Sequence, residues 1–143
     1  MSIRAQYQRK HTIFISPVAG VEMEVSHYDP RSPEFSAAVQ RLTRPIRRQV
    51  EKGELTPEQD RRYTIQAFAE VCLKNWRTVD PDGNVVNPTA IEEDAGKWVT
   101  FSRENAIRLF TEYPGLFSDV VDLARDNTAF RLTEDEMGNS EKS

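Results

Sequence analysis

Two short runs near the start of the chain alternate between apolar and polar positions. Thr12-Ile-Phe-Ile-Ser16 does so nearly. In Val21-Glu-Met-Glu-Val-Ser26, Val21, Met23 and Val25 face one way while Glu22 and Glu24 face the other. A repeat of two is the period of a half-buried strand, and Pro17 to Gly20 separates the runs as a turn would. The pattern predicts a β-hairpin. The period then changes after "YDPRSPEF". Ser32 followed by Pro33 reads as an N-cap and first helical residue. Phe35, Val39, Leu42, Ile46 and Val50 recur every three or four residues, one face of a helix that ends near Gly53. Pro45 sits inside this pattern and should kink the helix or split it in two.

Thr56-Pro57-Glu58-Gln59 combines a capping box with a proline at the first helical position. Ile65, Phe68, Cys72 and Trp76 line one face of the second predicted helix, which is therefore read as running to Trp76. "VDPDGNVVNPTAIEED", residues 79–94, follows. The Asp82-Gly83 pair with Val79 before it and Val85 and Val86 after it suits a short hairpin or an extended bend. Beyond it the signal weakens: Trp98, Val99 and Phe101 are expected to pack, and "AIEEDA" to form a short helical turn. Ser102 caps a third helix to about Glu112 that buries Ala106, Ile107 and Phe110. "YPGL" breaks it, and a fourth runs from about Phe117 with Val120, Val121 and Ala124 inward. The last residues, "RLTEDEMGNSEKS", are nearly all polar, which predicts a disordered C-terminal tail over 131–143. The expected fold is α+β and mostly α-helical, about four helices with a small N-terminal β-hairpin, in one globular domain over 1–130.

Composition narrows the function classes. At 143 residues, 38% of them hydrophobic and 29% charged, the chain has material for one modest core. No run approaches the roughly 18 apolar residues of a membrane span, so no membrane partner is expected. The first residues are basic without an apolar stretch, unlike a secretory signal. Cys72 is the single cysteine and cannot form an internal disulfide, which suits a reducing, intracellular setting. Its apolar-face spacing marks it as core filler rather than a nucleophile. The net charge of −4 hides an asymmetry: residues 1–50 carry eight Lys/Arg against four Asp/Glu, and the remainder eleven against nineteen. That division suits a protein partner. It disfavours coating nucleic acid, whose phosphates most of the surface would repel.

Candidate chemistry is sparse. The acidic 79–94 stretch fails as a calcium loop. With Gly83 at position 6 and Asp80 and Asp82 at 3 and 5, position 1 falls on Thr78 and position 12 on Thr89, so the closing carboxylate is missing. His11 and His27 could meet across the hairpin and hold a metal, or be ordinary surface histidines. Arg41, Arg44 and Arg48 recur at helical spacing, joined by Arg47 and Lys52. They form either a solvated face or a docking site for an acidic partner or this chain's own acidic tail. Without interleaved aromatics they make a weak nucleic-acid surface. No nucleophile elbow, phosphate loop, dinucleotide fingerprint or zinc spacing is present. The expectation is a non-enzymatic interaction protein without cofactor or metal.

The order of landmarks along the chain resembles the tail-assembly chaperones of long, non-contractile-tailed bacteriophages. A short hairpin leads into a helix with "LTRPIRR" (42–48), then come "EKGELTPE" (51–58) and a helix ending at Trp76. "WRTVDPDGN" (76–84) and "VTFSRENAIRLFTEYPGLFSDVVDLARDNTAFR" (99–131) follow, and the polar "MGNSEKS" is similar to the end of the family's short product. The resemblance spans about residues 11–140. Residues 87–98 depart from it, forming a longer link than the family's usual one. The resemblance implies a chaperone in the host cell cytoplasm, absent from the virion, that binds the tape-measure protein and keeps it soluble while the tail tube assembles around it. It further implies contact with the tail-tube protein through a longer, frameshifted form, and several copies per client, hence self-association. Arg41, Arg44, Arg47 and Arg48 would then select the client. A structural tail or head-completion protein and a nucleic-acid-binding regulator are the alternatives. A frameshift predicts an A-rich slippery run in the Glu141-Lys142-Ser143 codons, which the gene sequence confirms or excludes.

Overall fold

A computed structural model describes residue 3 and residues 10–131. β1 (Ile13–Val18) and β2 (Val21–Val25) form the expected hairpin, with Ile13 opposite Val25 and Ile15 opposite Met23. Gly20 turns the chain between them at φ +85°, a left-handed conformation that favours glycine. β3 (Leu73–Val79) pairs antiparallel with the other side of β2, setting Trp76 opposite Met23, and β4 (Val85–Asn87) pairs with β3. The four-stranded order is β1-β2-β3-β4. A separate pair, β5 (Ala90–Asp94) and β6 (Lys97–Thr100), sets Ile91 opposite Val99.

Three helices begin where the sequence says they should, while the last begins at Pro114, three residues before the expected Phe117, because the proline of "YPGL" serves as a first helical residue rather than a break. Ser32 caps α1 (Pro33–Leu42) by accepting from the Phe35 N–H. Thr56 and Gln59 complete a reciprocal capping box on α3 (Pro57–Val71). Ser102 accepts from the Asn105 N–H at the start of α4 (Arg103–Glu112), and α5 (Pro114–Arg125) starts directly after Tyr113. Pro45 splits the first predicted helix in two: α1 ends at Leu42, a 3₁₀ turn spans Arg44–Ile46, and α2 (Arg47–Glu51) resumes.

The helices cover the inner face of the larger sheet. Met23, Val25 and Trp76 meet Ile65 and Phe68 of α3, Phe110 of α4 and Val120 and Ala124 of α5 in one buried cluster. Phe68 is its aromatic hub, edge-on to Phe117 and Phe110 and tilted against Tyr28, with ring centroids 5.6, 6.1 and 5.6 Å away. Such arrangements set positive ring edges against negative faces. Trp76, fully buried, donates its indole N–H to the Val99 carbonyl at 3.0 Å and lies edge-on to Phe101 at 5.2 Å. It fastens the β5–β6 pair to the main sheet.

The class is α+β as expected, but the picture of a mostly helical chain with strands only in an N-terminal hairpin is overturned. Among the described residues there are five α-helices and six strands in two antiparallel sheets. The second helix stops at Val71 and the chain passes at once into β3, so Trp76 is a strand residue. "AIEEDA" is mostly β5 rather than a helical turn. The tail expected over 131–143 lies, apart from Arg131, outside the described residues.

Trp76→Phe removes the N–H and leaves space around the Val99 carbonyl. Its unfolding free energy in denaturant should fall by about 1–3 kcal/mol, whereas Trp98→Phe, at an exposed position, should stay within about 0.5 kcal/mol of the parent.

Candidate functional site

Two surfaces carry unusual chemistry, one cationic and one apolar. The cationic one arises where α1 stops. Thr43 turns both its N–H and its hydroxyl back to the Val39 carbonyl, at 2.9 and 2.7 Å, and Pro45 has no N–H to continue the helix. The resulting bend breaks the expected arginine stripe into parts. Arg41 is drawn away to α3, where it pairs with Glu70, which also accepts from Arg103 at 3.2 Å. Arg47 pairs with Glu51 at 2.8 Å, one helical turn on. Arg44 and Arg48 are exposed and have no acidic partner among the described residues.

Two shallow clefts meet at this bend and share Arg44 and Arg47. One, of about 560 Å³, also takes in Gln40, Thr43, Val50 and Glu51; the other, of about 520 Å³, Pro45, Ile46, Arg48 and Gln49. The structure therefore brings Arg44, Arg47 and Arg48 together and sets Arg41 apart. Exposed guanidinium groups beside Pro45, Ile46 and Val50 suit a carboxylate-bearing surface with apolar neighbours.

The apolar surface is a pocket of about 270 Å³. The β1–β2 hairpin supplies Val18, Val21 and Met23, β5 supplies Ile91, and Leu109, Tyr113 and Leu116 close it from the α4–α5 corner. Val18 remains 53% and Tyr113 42% exposed, so the pocket opens to solvent. Glu93 stands at its rim with a side chain only 4% exposed. It accepts from Arg108 at 2.8 Å and the Tyr113 hydroxyl at 2.9 Å, and Lys97 lies 3.4 Å away. Arg108 also holds Glu112 at 2.9 Å. The hydrogen bonds from Arg108 and Tyr113 lower the Glu93 pKa to about 2, and the bond to Glu93 raises those of Arg108 and Tyr113. All three keep their charge states through the neutral range. The cluster thus fixes the Tyr113 ring against the pocket rather than exchanging protons.

The other candidates resolve simply. Asp80 accepts from the N–H groups of Asp82 and Asn84 at 3.0 and 2.8 Å, and Gly83 takes φ +86°, so the acidic stretch is an Asx-type turn. No group of metal-binding side chains occurs among the described residues. His27 lies 3.1 Å from the Arg125 carbonyl and edge-on to Phe130, while His11 is exposed. Cys72 is buried at the end of α3, and burial raises its thiol pKa to about 11, which makes it inert as a nucleophile. No described helix is long and apolar enough to cross a membrane.

A model of the YdaY prophage protein family matches residues 30–139, most of the chain. The chain belongs to that family. It is accordingly a phage-derived protein. The matched span contains α1 to α5, β3 to β6 and both arginine clefts, and begins after the β1–β2 hairpin. No curated protein and no solved structure matches the chain.

The Glu93 cluster escaped the sequence reading because Arg108 and Tyr113 lie 15 and 20 residues away from it. Its only local cue, Lys97 four residues on, spans a hairpin rather than a helical turn. Because its folded pKa lies below the ordinary 4.5, Glu93 stabilises the fold fully above that pH, and the contribution is lost as pH falls toward about 2. Glu93→Gln should flatten the pH dependence of the melting temperature across that acidic window and, at neutral pH, lower it. A parent-like acidic slope in the variant would show that other carboxylates set it.

Proposed function

We propose that this prophage protein is a tail-assembly chaperone for a long, non-contractile-tailed phage. It binds the tape-measure protein in the host cytoplasm, keeps it soluble, promotes assembly of the tail tube around it and is left out of the finished virion. The observation that carries this reading is the open apolar pocket on a small, strongly charged prophage protein. The order of sequence landmarks, which resembles such chaperones, supports it.

The physical logic is that of a temporary cover. A tape-measure protein is a long helical chain whose apolar stripes must be shielded until they pack inside the tube. A pocket of this size takes one or two apolar side chains from such a stripe, in the manner of a helix laid on a groove. Each buried side chain contributes on the order of 1.5–3 kcal/mol before the costs of association, so several copies along one client are needed to hold it. Arg44 and Arg48, without an acidic partner among the described residues, favour acidic positions on the client and add electrostatic choice. The charged remainder keeps the complex in solution.

Co-expression with the tape-measure protein of the same gene cluster tests this. The client should become soluble and co-purify only when this chain is present. Val18→Asp, at a half-exposed pocket position, and the double variant Arg44→Glu with Arg48→Glu should each weaken capture by about tenfold or more with melting unchanged. An insoluble client would overturn the reading. Recovery of this chain from purified virions would replace it with a structural tail or head-completion role.

A further inference from the structure

The larger sheet has two outer strands, and they differ in how they are guarded. β4 spans three residues, is followed by Pro88 and is preceded by a turn carrying Asp80 and Asp82. Short length, proline and charge are the usual protections of a free sheet edge. β1 lacks them along Thr12-Ile-Phe-Ile-Ser16, which has no charge, no proline and strong strand formers. Beyond β1's pairing with β2, none of these five residues has a backbone hydrogen bond within the described chain. A groove of about 550 Å³ runs beside them, bounded across from β1 by Leu123, Asp126 and Ala129. Its ends are defined: Lys10 donates to the Phe130 carbonyl at 2.6 Å on one side, and the ladder register shifts between Ile15 and Val18, around Pro17, on the other.

We propose that this edge pairs antiparallel with the same edge of a second copy, joining two four-stranded sheets into one of eight across a two-fold axis at Phe14. The five residues read the same in both directions by chemical type: hydroxyl, Ile, Phe, Ile, hydroxyl. An antiparallel pair centred on Phe14 therefore opposes Thr12 to Ser16, Ile13 to Ile15 and Phe14 to Phe14. Such self-complementarity is what a two-fold interface requires. The oppositions place aliphatic pairs on the inner face and an aromatic pair on the outer face; the end hydroxyls, which donate within their own chain to Glu24 and to the Val18 carbonyl, both at 3.0 Å, meet without charge. No like charges meet. Arg77 stacks 3.5 Å from its own Phe14 ring and is paired with Glu22 at 2.8 Å. Pairing also covers Phe14 and Leu123, which are 40% and 38% exposed in the single chain. This inference does not depend on the chaperone reading.

Sedimentation equilibrium of the full chain, with three variants, tests it. The parent should have twice the chain mass. Phe14→Glu opposes two carboxylates at the axis and should halve that mass with the circular dichroism unchanged. Val86→Glu, on the guarded edge, should leave the dimer intact. Phe14→Cys should form a disulfide-linked dimer on mild oxidation, because opposed residues in an antiparallel pair lie about 4.5–5.5 Å apart, within disulfide reach, while Cys72 is buried. A monomeric parent overturns the proposal, as does a dimer that Phe14→Glu leaves whole or Phe14→Cys fails to link. Should Phe14→Glu not fold, the cysteine link decides.

Discussion

The indole of Trp76 is the contact on which the rest of the molecule depends. It is the point where the four-stranded sheet, the β5–β6 pair and the aromatic core touch one side chain. Opposite Met23 in β2, it is held by the register of the main sheet; through its N–H to Val99 and its edge against Phe101, it holds the second sheet. A residue with a large apolar body and one polar handle is suited to this, because the body fills the core while the handle fixes direction. Ile91 and Glu93 sit on the β5–β6 pair it fastens. The floor and rim of the apolar pocket are therefore held from β3, by the Trp76 bond on the far side of the hairpin and by the Thr78 hydroxyl, which donates to the Ala90 carbonyl at 2.7 Å.

What the sequence disclosed and what it hid follow from the range of the interactions involved. Helix starts were legible because their signals are local: Ser32-Pro33, the Thr56–Gln59 box and Ser102 each act within three residues. The hairpin of β1 and β2 was legible from its period. The end of α3 was not. Cys72 and Trp76 continue the spacing of Ile65 and Phe68, and no glycine or proline marks the change, since Cys72 ends the helix still in helical conformation. β5 was hidden for another reason. Two glutamates and an aspartate make poor strand material in isolation, and only Arg108 and Tyr113, brought from α4 and its end, make an inward Glu93 tolerable. Tertiary partners overrode local preference there.

The arginine prediction was half legible in the same sense. Spacing placed Arg41, Arg44 and Arg48 on one stripe, and Pro45 warned that the stripe would break. Where each part would go depended on Glu70, 29 residues from Arg41, which no local pattern reveals. The outcome is a division of labour among like residues. Arg41 and Arg103 tie α1 and α4 to α3 through one carboxylate, while Arg44 and Arg48 are left for solvent or a partner. That separation distinguishes cations held in the fold from cations exposed to solvent.

The direct passage from α3 into β3 has a consequence for how this family can change. Inserting one residue at a loop alters only the loop, but Val71, Cys72 and Leu73 leave no loop to absorb it. One residue gained or lost there would rotate the preceding helix by about 100° relative to the strand, or turn every β3 side chain to the opposite face of the sheet. Either would take Phe68 or Trp76 out of the core. An added residue is absorbed more easily in the 80–84 turn or the Ala95-Gly96 turn, and the stretch from Ile65 to Trp76 should keep its length wherever the fold is kept.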